Sequence, residues 1–352
     1  MRIIFFLYSL FLIACVSETE SVKETKNQDP IVVVSELIDK DITNDSLYVA
    51  RAKINIERKR FKEALKDLNQ ANSLDSTKGE THYLLADVLL ELVKSRVGDD
   101  SYLVLSSEHF YTSVRYNYNI ALSYKKAGEI FLFRGKTFEN DEYLNTSVKL
   151  LEESILVNAS DPHTFLLLGY CYIELDRKEQ AVLCFNKTVE LDSNNEEGYL
   201  QLGNLHHSLA DSLSFFYYTK VVKINPENRI AWYNMGLAYH SNSMYSEAQE
   251  VYHKIIDIGI EDRIYENAIY NLGFMFQDDL KDYKNAINYF IEVLRVNPNY
   301  YLAYFRMAIC YQGLGDVVNA EQYYRKALGI NPNFKEANDR LNKLISDNKK
   351  YK

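Results

Sequence analysis

Seven histidines and three cysteines, Cys171, Cys184 and Cys310, are side chains in the body of this chain whose types could do chemistry, and His206, His207 and His240 are the histidines read onto inner helices. His207 and His240 stand 33 residues apart in equivalent places of two similar helices, so their imidazoles could approach across neighbouring units. Two imidazoles without a carboxylate or thiolate companion make a poor metal site, so they read as polar lining and no metal is expected. Cys171 and Cys184 fall within one helical hairpin. An odd number of thiols leaves at least one free unless it pairs between chains, and small buried hydrophobes are the commoner role for such residues. No Cys-x-x-Cys pair argues for zinc. There is no G-x-S-x-G, no Gly-rich phosphate loop and no H-E-x-x-H, so neither an enzyme nor a cofactor is expected.

A fourth cysteine, Cys15, follows the apolar run MRIIFFLYSLFLIA, which sits behind one arginine and is too short to span a bilayer comfortably. Leu12-Ile13-Ala14-Cys15 resembles the lipobox of bacterial lipoproteins. The resemblance implies that the Cys15 sulfur takes a diacylglycerol and that Cys15 becomes the new N-terminus after cleavage. Several acyl chains, at about 0.8 kcal/mol per buried CH₂, make such anchoring effectively permanent. The expected setting is a bacterial cell envelope, with the protein tethered to the outer membrane at its periplasmic face or the cell surface, and membrane contact through the lipid only.

Composition bounds the rest. The chain has 352 residues, 47% of them hydrophobic, with only 5 prolines and 13 glycines, which favours long helices over a sheet with many turns. A formal charge of -9 leaves no basic patch to release counterions from phosphates, so nucleic acid is not an expected partner.

The elements that must position any site are read from one stretch, Arg229 to Asp262. Trp232, Met235 and Tyr239 recur at helical spacing with Gly236 beside them, and Ala248 and Tyr252 repeat the logic in the second half. A small residue on each helix lets two backbones approach while bulky neighbours fill the space around them, so the stretch reads as a helical hairpin. The pattern returns as Phe165, Leu168, Gly169, Tyr172, Ala181 and Phe185, then as Tyr199, Leu202, Gly203 and Tyr218. It returns again as Ile269, Leu272, Gly273, Phe276, Ala286 and Phe290, and as Tyr304, Met307, Ala308, Tyr311, Ala320 and Tyr324. These residues resemble the tetratricopeptide repeat, W-x-x-L-G-x-x-Y, then A-x-x-x-F, then P.

The resemblance implies an all-α fold, a right-handed α-solenoid of helix-turn-helix repeats with a C-terminal capping helix, because each unit buries its apolar face only by stacking. The expected organisation is a signal peptide at 1–14, a tether and partial N-terminal cap at 15–44, about eight units, and a capping helix with a basic tail at 335–352. The units are expected at 45–78, 79–120, 121–161, 162–195, 196–228, 229–265, 266–300 and 301–334. Pro30 and the run from Glu36 to Ile42 should begin the cap. The second and third units run long, which fits one added turn on each helix, with loops at Gly98-Asp99-Asp100 and Gly135 to Asn140 projecting.

The same family holds a protein or peptide segment in a concave groove lined by the first helix of each hairpin. Carried onto this chain, the groove positions are Tyr170, Asn204, Tyr233, Leu237, Tyr270 and Phe274, with Phe305 and Ile309 in the last unit. His207 and His240 join them. Asn234 and Asn271 occupy the adjoining position, where an amide can donate to and accept from an extended backbone. Chaperone-binding members clamp an acidic C-terminus with lysines and arginines at these positions; those are read as missing here, which makes an acidic tail an unexpected ligand. The expected function is a noncatalytic binding scaffold concerned with assembly, secretion or complex organisation. The alternative is a ligand- or glycan-binding surface lipoprotein resembling the SusD-like receptors. The sequence leaves the oligomeric state open.

Overall fold

Short polar side chains cap the starts of many helices of this chain, among them those at Asp29, Asn44, Asp99, Asn140, Asp161 and Asp262, and left-handed residues mark turns within its hairpins. The computed structural model describes residues 28–208 and 212–350. The expected signal peptide, the expected lipobox with Cys15 and most of the expected tether lie outside the described residues. Two units divide at Leu175 and Asp176.

The first unit opens with α1 (Pro30–Lys40), whose N-terminus is capped by the Asp29 carboxylate on the Ile31 N–H and which carries proline in its first turn. Val34 and Ile38 are its buried face. The helix ends ahead of Ile42, which is exposed. Two arginines fix α1 in place: Arg58 grips Asp29 through two hydrogen bonds of 2.9 and 2.6 Å, and Arg51 reaches both Ser35 and Asp67.

Three hairpins follow, α2 (Asp45–Glu57) with α3 (Phe61–Leu74), α4 (Gly79–Lys94) with α5 (Asp100–Arg115), and α6 (Ile120–Thr137) with α7 (Asp141–Val157). Helix α8 (Pro162–Glu174) packs on α7. The extra length of the second and third hairpins lies in the helices, which have 16, 16, 18 and 17 residues against 13 and 14 in the first. The expected loop from Gly135 to Asn140 is corrected by the same fact: α6 continues to Thr137, because buried Gly135 packs against Leu144 of α7. Asp100 likewise belongs to α5, with Asp99 as its cap.

The second unit contains α9 (Lys178–Leu191) and α10 (Glu196–Ser208), then α11 (Leu213–Ile224), α12 (Arg229–Ser241) and α13 (Tyr245–Ile258). Helix α14 (Arg263–Phe274) runs directly into a π-helical turn (Met275–Asp279). It begins three residues ahead of the expected boundary at 266, because the Asp262 carboxylate accepts the N–H groups of Ile264 and Tyr265 and starts the helix there. Helices α15 (Tyr283–Val296), α16 (Tyr301–Gly313), α17 (Val317–Ile330) and α18 (Lys335–Lys350) complete the unit.

Close approach within each hairpin rests on one small residue. A methyl added at Gly236 would lie 2.5 Å from the Tyr252 ring, at Gly203 2.6 Å from Tyr218, and at Gly273 2.7 Å from Phe290. All three aromatic rings are fully buried, each worth about 2–3 kcal/mol of apolar transfer. The turns within hairpins share a further device. Lys59, Ser243 and Gly315 adopt left-handed backbone conformations, and the next N–H reaches back five residues, as from Met244 to Tyr239, closing the helix end. First helices of successive hairpins lie side by side, α10 by α12 and α12 by α14. Each unit is therefore a run of antiparallel hairpins stacked in chain order, and the fold class is an all-α solenoid. Helix α18 covers the last hairpin with Ala337, Leu341 and Leu344.

Cys171, Cys184 and Cys310 are buried thiols in no disulfide among the described residues, and burial pushes Cys171 up to about 11 and Cys310 up to about 12. Neither is a thiolate near neutral pH. Among the described residues, no helix is long and apolar enough to cross a membrane.

Candidate functional site

The first helices of the second unit present a wall of phenols and amides. Asn204 on α10 accepts the Tyr218 hydroxyl at 3.0 Å and the Asn234 amide of α12 at 2.8 Å. Asn271 on α14 donates back to the Tyr233 hydroxyl at 3.3 Å and to the Tyr252 hydroxyl at 3.5 Å. Sequence reasoning assigned both Asn234 and Asn271 to a partner's backbone. The structure commits a donor of each to the neighbouring hairpin, so they form a ladder that fixes helix spacing. The Tyr233 ring lies 6.3 Å from that of Tyr252, and Leu237 is half-buried one turn further along α12.

A denser cluster surrounds the π-turn. His240 Nε2 meets Asp279 Oδ2 at 2.7 Å, and the Tyr245 hydroxyl donates to Asp279 Oδ1 at 3.2 Å. Asp278 Oδ2 accepts from Arg306 Nη1 at 3.1 Å, while Arg306 Nε donates to the Tyr270 hydroxyl at 3.3 Å. The guanidinium stands 4.5 Å over the Phe274 ring, and the His240 ring meets Phe274 edge-on at 6.0 Å. Tyr270 lies 5.3 Å from Tyr300, whose hydroxyl is pushed up to about 12 by burial, then by Tyr270 and Glu266. Asn204, Tyr233, Asn234, Leu237, His240, Tyr270, Asn271 and Phe274 thus share one face of the second unit. His207 is half-buried on α10, one hairpin before His240.

One expected groove residue, Phe305, is instead part of the core. Phe305 is 2% exposed, packed edge-on against Phe334 at 4.7 Å and against Tyr324, because α18 closes over it. Ile309 packs against the same core and is half-buried. Tyr170 belongs to the first unit, where Lys136 Nζ sits 5.9 Å from its ring.

Arg306, Asp278, Asp279 and Tyr245 are the residues that sequence reasoning missed. Arg306 occupies the register of Asn234 and Asn271, so the reading that arginine is missing from this row is corrected. The π-turn has a sequence signal as well, since the repeat at 266–300 is one residue longer than that at 301–334, and an i→i+5 turn absorbs one extra residue.

The first unit's inner face differs. Lys126 on α6 is bonded to Asp87 on α4 and stands over the Tyr83 ring, and Lys53 and Tyr118 both bond Glu80. Its cations are already matched by carboxylates. Among the described residues, no group of three or more His, Cys, Asp or Glu is placed to hold a metal ion.

Comparison with known proteins places these features among others. Profiles described as tetratricopeptide repeat match residues 162–195, 217–250, 266–300 and 301–334. Anaphase-promoting complex subunit 3 of Schizosaccharomyces pombe is 23% identical over 160 residues, 45% of this chain and 24% of that protein. Human protein O-mannosyl-transferase TMTC3 is 19% identical over 258 residues, 72% of this chain and 28% of that protein. The chain thus spans about a quarter of the length of these curated relatives. Among solved structures, the C-terminal part of a TPR repeat-containing protein from Cytophaga hutchinsonii superposes with a TM-score of 0.56 at 18% identity, covering 68% of this chain and 92% of that one.

Proposed function

Because the chain carries tetratricopeptide repeats, we propose that it is a noncatalytic scaffold that captures a protein or peptide segment along the inner-helix face of its second unit. The observation that carries this reading is the partly exposed row of Tyr233, Leu237, Tyr270 and Phe274 on α12 and α14, braced by the Asn204–Asn234 and Asn271–Tyr233 hydrogen bonds. Phenols and a leucine offer apolar area at low entropic cost, and the bracing means that little ordering remains to be done on binding. Neither nucleic acid nor cofactor enters this reading.

The scaffold is anchored by lipid at Cys15 in a bacterial cell envelope, at the outer membrane. Support comes from the apolar run before Leu12-Ile13-Ala14-Cys15 and the polar SETESVKETKNQD after it, a composition suited to a flexible tether. Mass spectrometry of the mature protein tests the anchor: a diacylglycerol adduct on Cys15 is expected, and a Cys15→Ala protein that still partitions with membranes overturns it. For the groove, Tyr233→Ala with Leu237→Ala should abolish partner recovery while leaving the melting temperature within a few degrees. Equal recovery by variant and wild type overturns that half.

A further inference from the structure

Building on the groove reading above, we propose that the captured segment carries basic side chains, lysine or arginine, received between the π-turn carboxylates and the phenols of the second unit.

The π-turn is what creates the subsite. Successive side chains on a regular helix diverge by roughly 100°, and here Asp278 reaches forward to Arg306 on α16 while Asp279 reaches back to His240 on α12 and Tyr245 on α13. One turn thereby sets two adjacent carboxylates on the face shared by three hairpins. Asp278 keeps one oxygen, Oδ1, that accepts no hydrogen bond from any described residue, so it has capacity for a further donor. Gln277, in the same turn, is 1% exposed with neither its Nε2 nor its Oε1 hydrogen-bonded. A buried amide left this way carries a desolvation cost that native structures retain where a further polar group completes the arrangement.

Charge selects the occupant. Glu266, Asp278 and Asp279 face this region against Arg306, and the chain as a whole carries -9, so a cation is drawn in and an acidic segment repelled. The wall already shows how it receives a cation. The Arg306 guanidinium carbon stands 4.5 Å from the Phe274 ring centroid with its Nε on the Tyr270 hydroxyl, and Tyr233, Tyr270 and Tyr300 offer further rings of the kind that attract ammonium and guanidinium groups.

The test uses the full chain in detergent micelles and three labelled peptides of one length, in a common Ser/Gly/Ala background, bearing three arginines, three glutamates or neither. Fluorescence anisotropy should show the arginine peptide binding about tenfold tighter than the glutamate peptide, with the preference shrinking as salt is raised. Asp278→Asn with Asp279→Asn should erase the preference, whereas Asp316→Asn, which retains its helix cap in the next hairpin, should keep it. Should the double variant fail to fold, Asp279→Asn alone and the wild-type salt dependence carry the same reading. Equal or tighter binding of the glutamate peptide overturns the proposal, as does a preference unchanged in the double variant. A photo-crosslinker at position 233 separates the two failures. Capture of all three peptides alike retains the groove and removes its charge preference; capture of none removes both.

Discussion

Asp279 Oδ2 lies 2.7 Å from His240 Nε2, so the end of the π-turn is tied to the first helix of the preceding hairpin. With the Tyr245 hydroxyl on its other oxygen, this one carboxylate spans both helices of that hairpin. Asp279→Ala should therefore loosen the turn locally more than it destabilises the unit. Faster amide exchange across 275–281 is expected, with a stability loss of about 0.5–1.5 kcal/mol. Unchanged exchange there would show that the turn is held by its backbone and not by the carboxylate.

Gly236 and Tyr252 give the packing prediction. A Cβ at Gly236 meets the buried Tyr252 ring at 2.5 Å, and overpacking of this kind costs about 1–3 kcal/mol. Alanine returns up to about 1 kcal/mol through helix propensity. Gly236→Ala should thus lower the urea midpoint. The last hairpin bears on the magnitude, since it places Ala308 in the equivalent slot against Tyr324. A midpoint equal to or above wild type would mean that α12 and α13 separate without penalty.

How much of this was legible in the sequence follows from which contacts are local. Trp232, Met235, Gly236, Tyr239, Ala248 and Tyr252 mark a hairpin because helical spacing and residue size act within a few turns, and the structure packs them that way. Phe305 could not be sorted from Phe274 by spacing, since both hold inner-helix positions; what buries Phe305 is α18, an element outside its own hairpin. Asn234 and Asn271 carried the right polarity, but their donors are taken by residues 19 to 38 positions away. The extra residue in the repeat at 266–300 was countable, whereas the direction in which a π-turn aims Asp278 and Asp279 depends on three hairpins being assembled.

A pH prediction comes from the first unit. His82 Nε2 points to the Ser76 carbonyl at 2.9 Å and so carries its proton there, which makes Nδ1 the acceptor for the His109 Nδ1–H, also at 2.9 Å. His109 is pushed down to about 4, first by burial and then by His82. Its folded value lies below the unfolded value of about 6.5, so the unfolded chain binds more protons between the two and stability falls as pH drops through that window. Asp29 and Asp262, held near 2 by Arg58 and Arg229, titrate below it. The melting temperature should fall from pH 7 to pH 5 by more in wild type than in His109→Gln, with a difference on the order of 2 °C. Parallel pH profiles would assign the loss elsewhere.

Capture of a partner on the inner face of the second unit is tested most directly by site-specific photo-crosslinking in the native cell. A benzophenone amino acid at Tyr233, on α12, is compared with one at the exposed Gln322, on the second helix of the last hairpin. A discrete protein adduct at position 233, lost on Leu237→Ala, with none at 322, is the predicted result. Adducts of equal yield at both positions, or at 322 only, would contradict it.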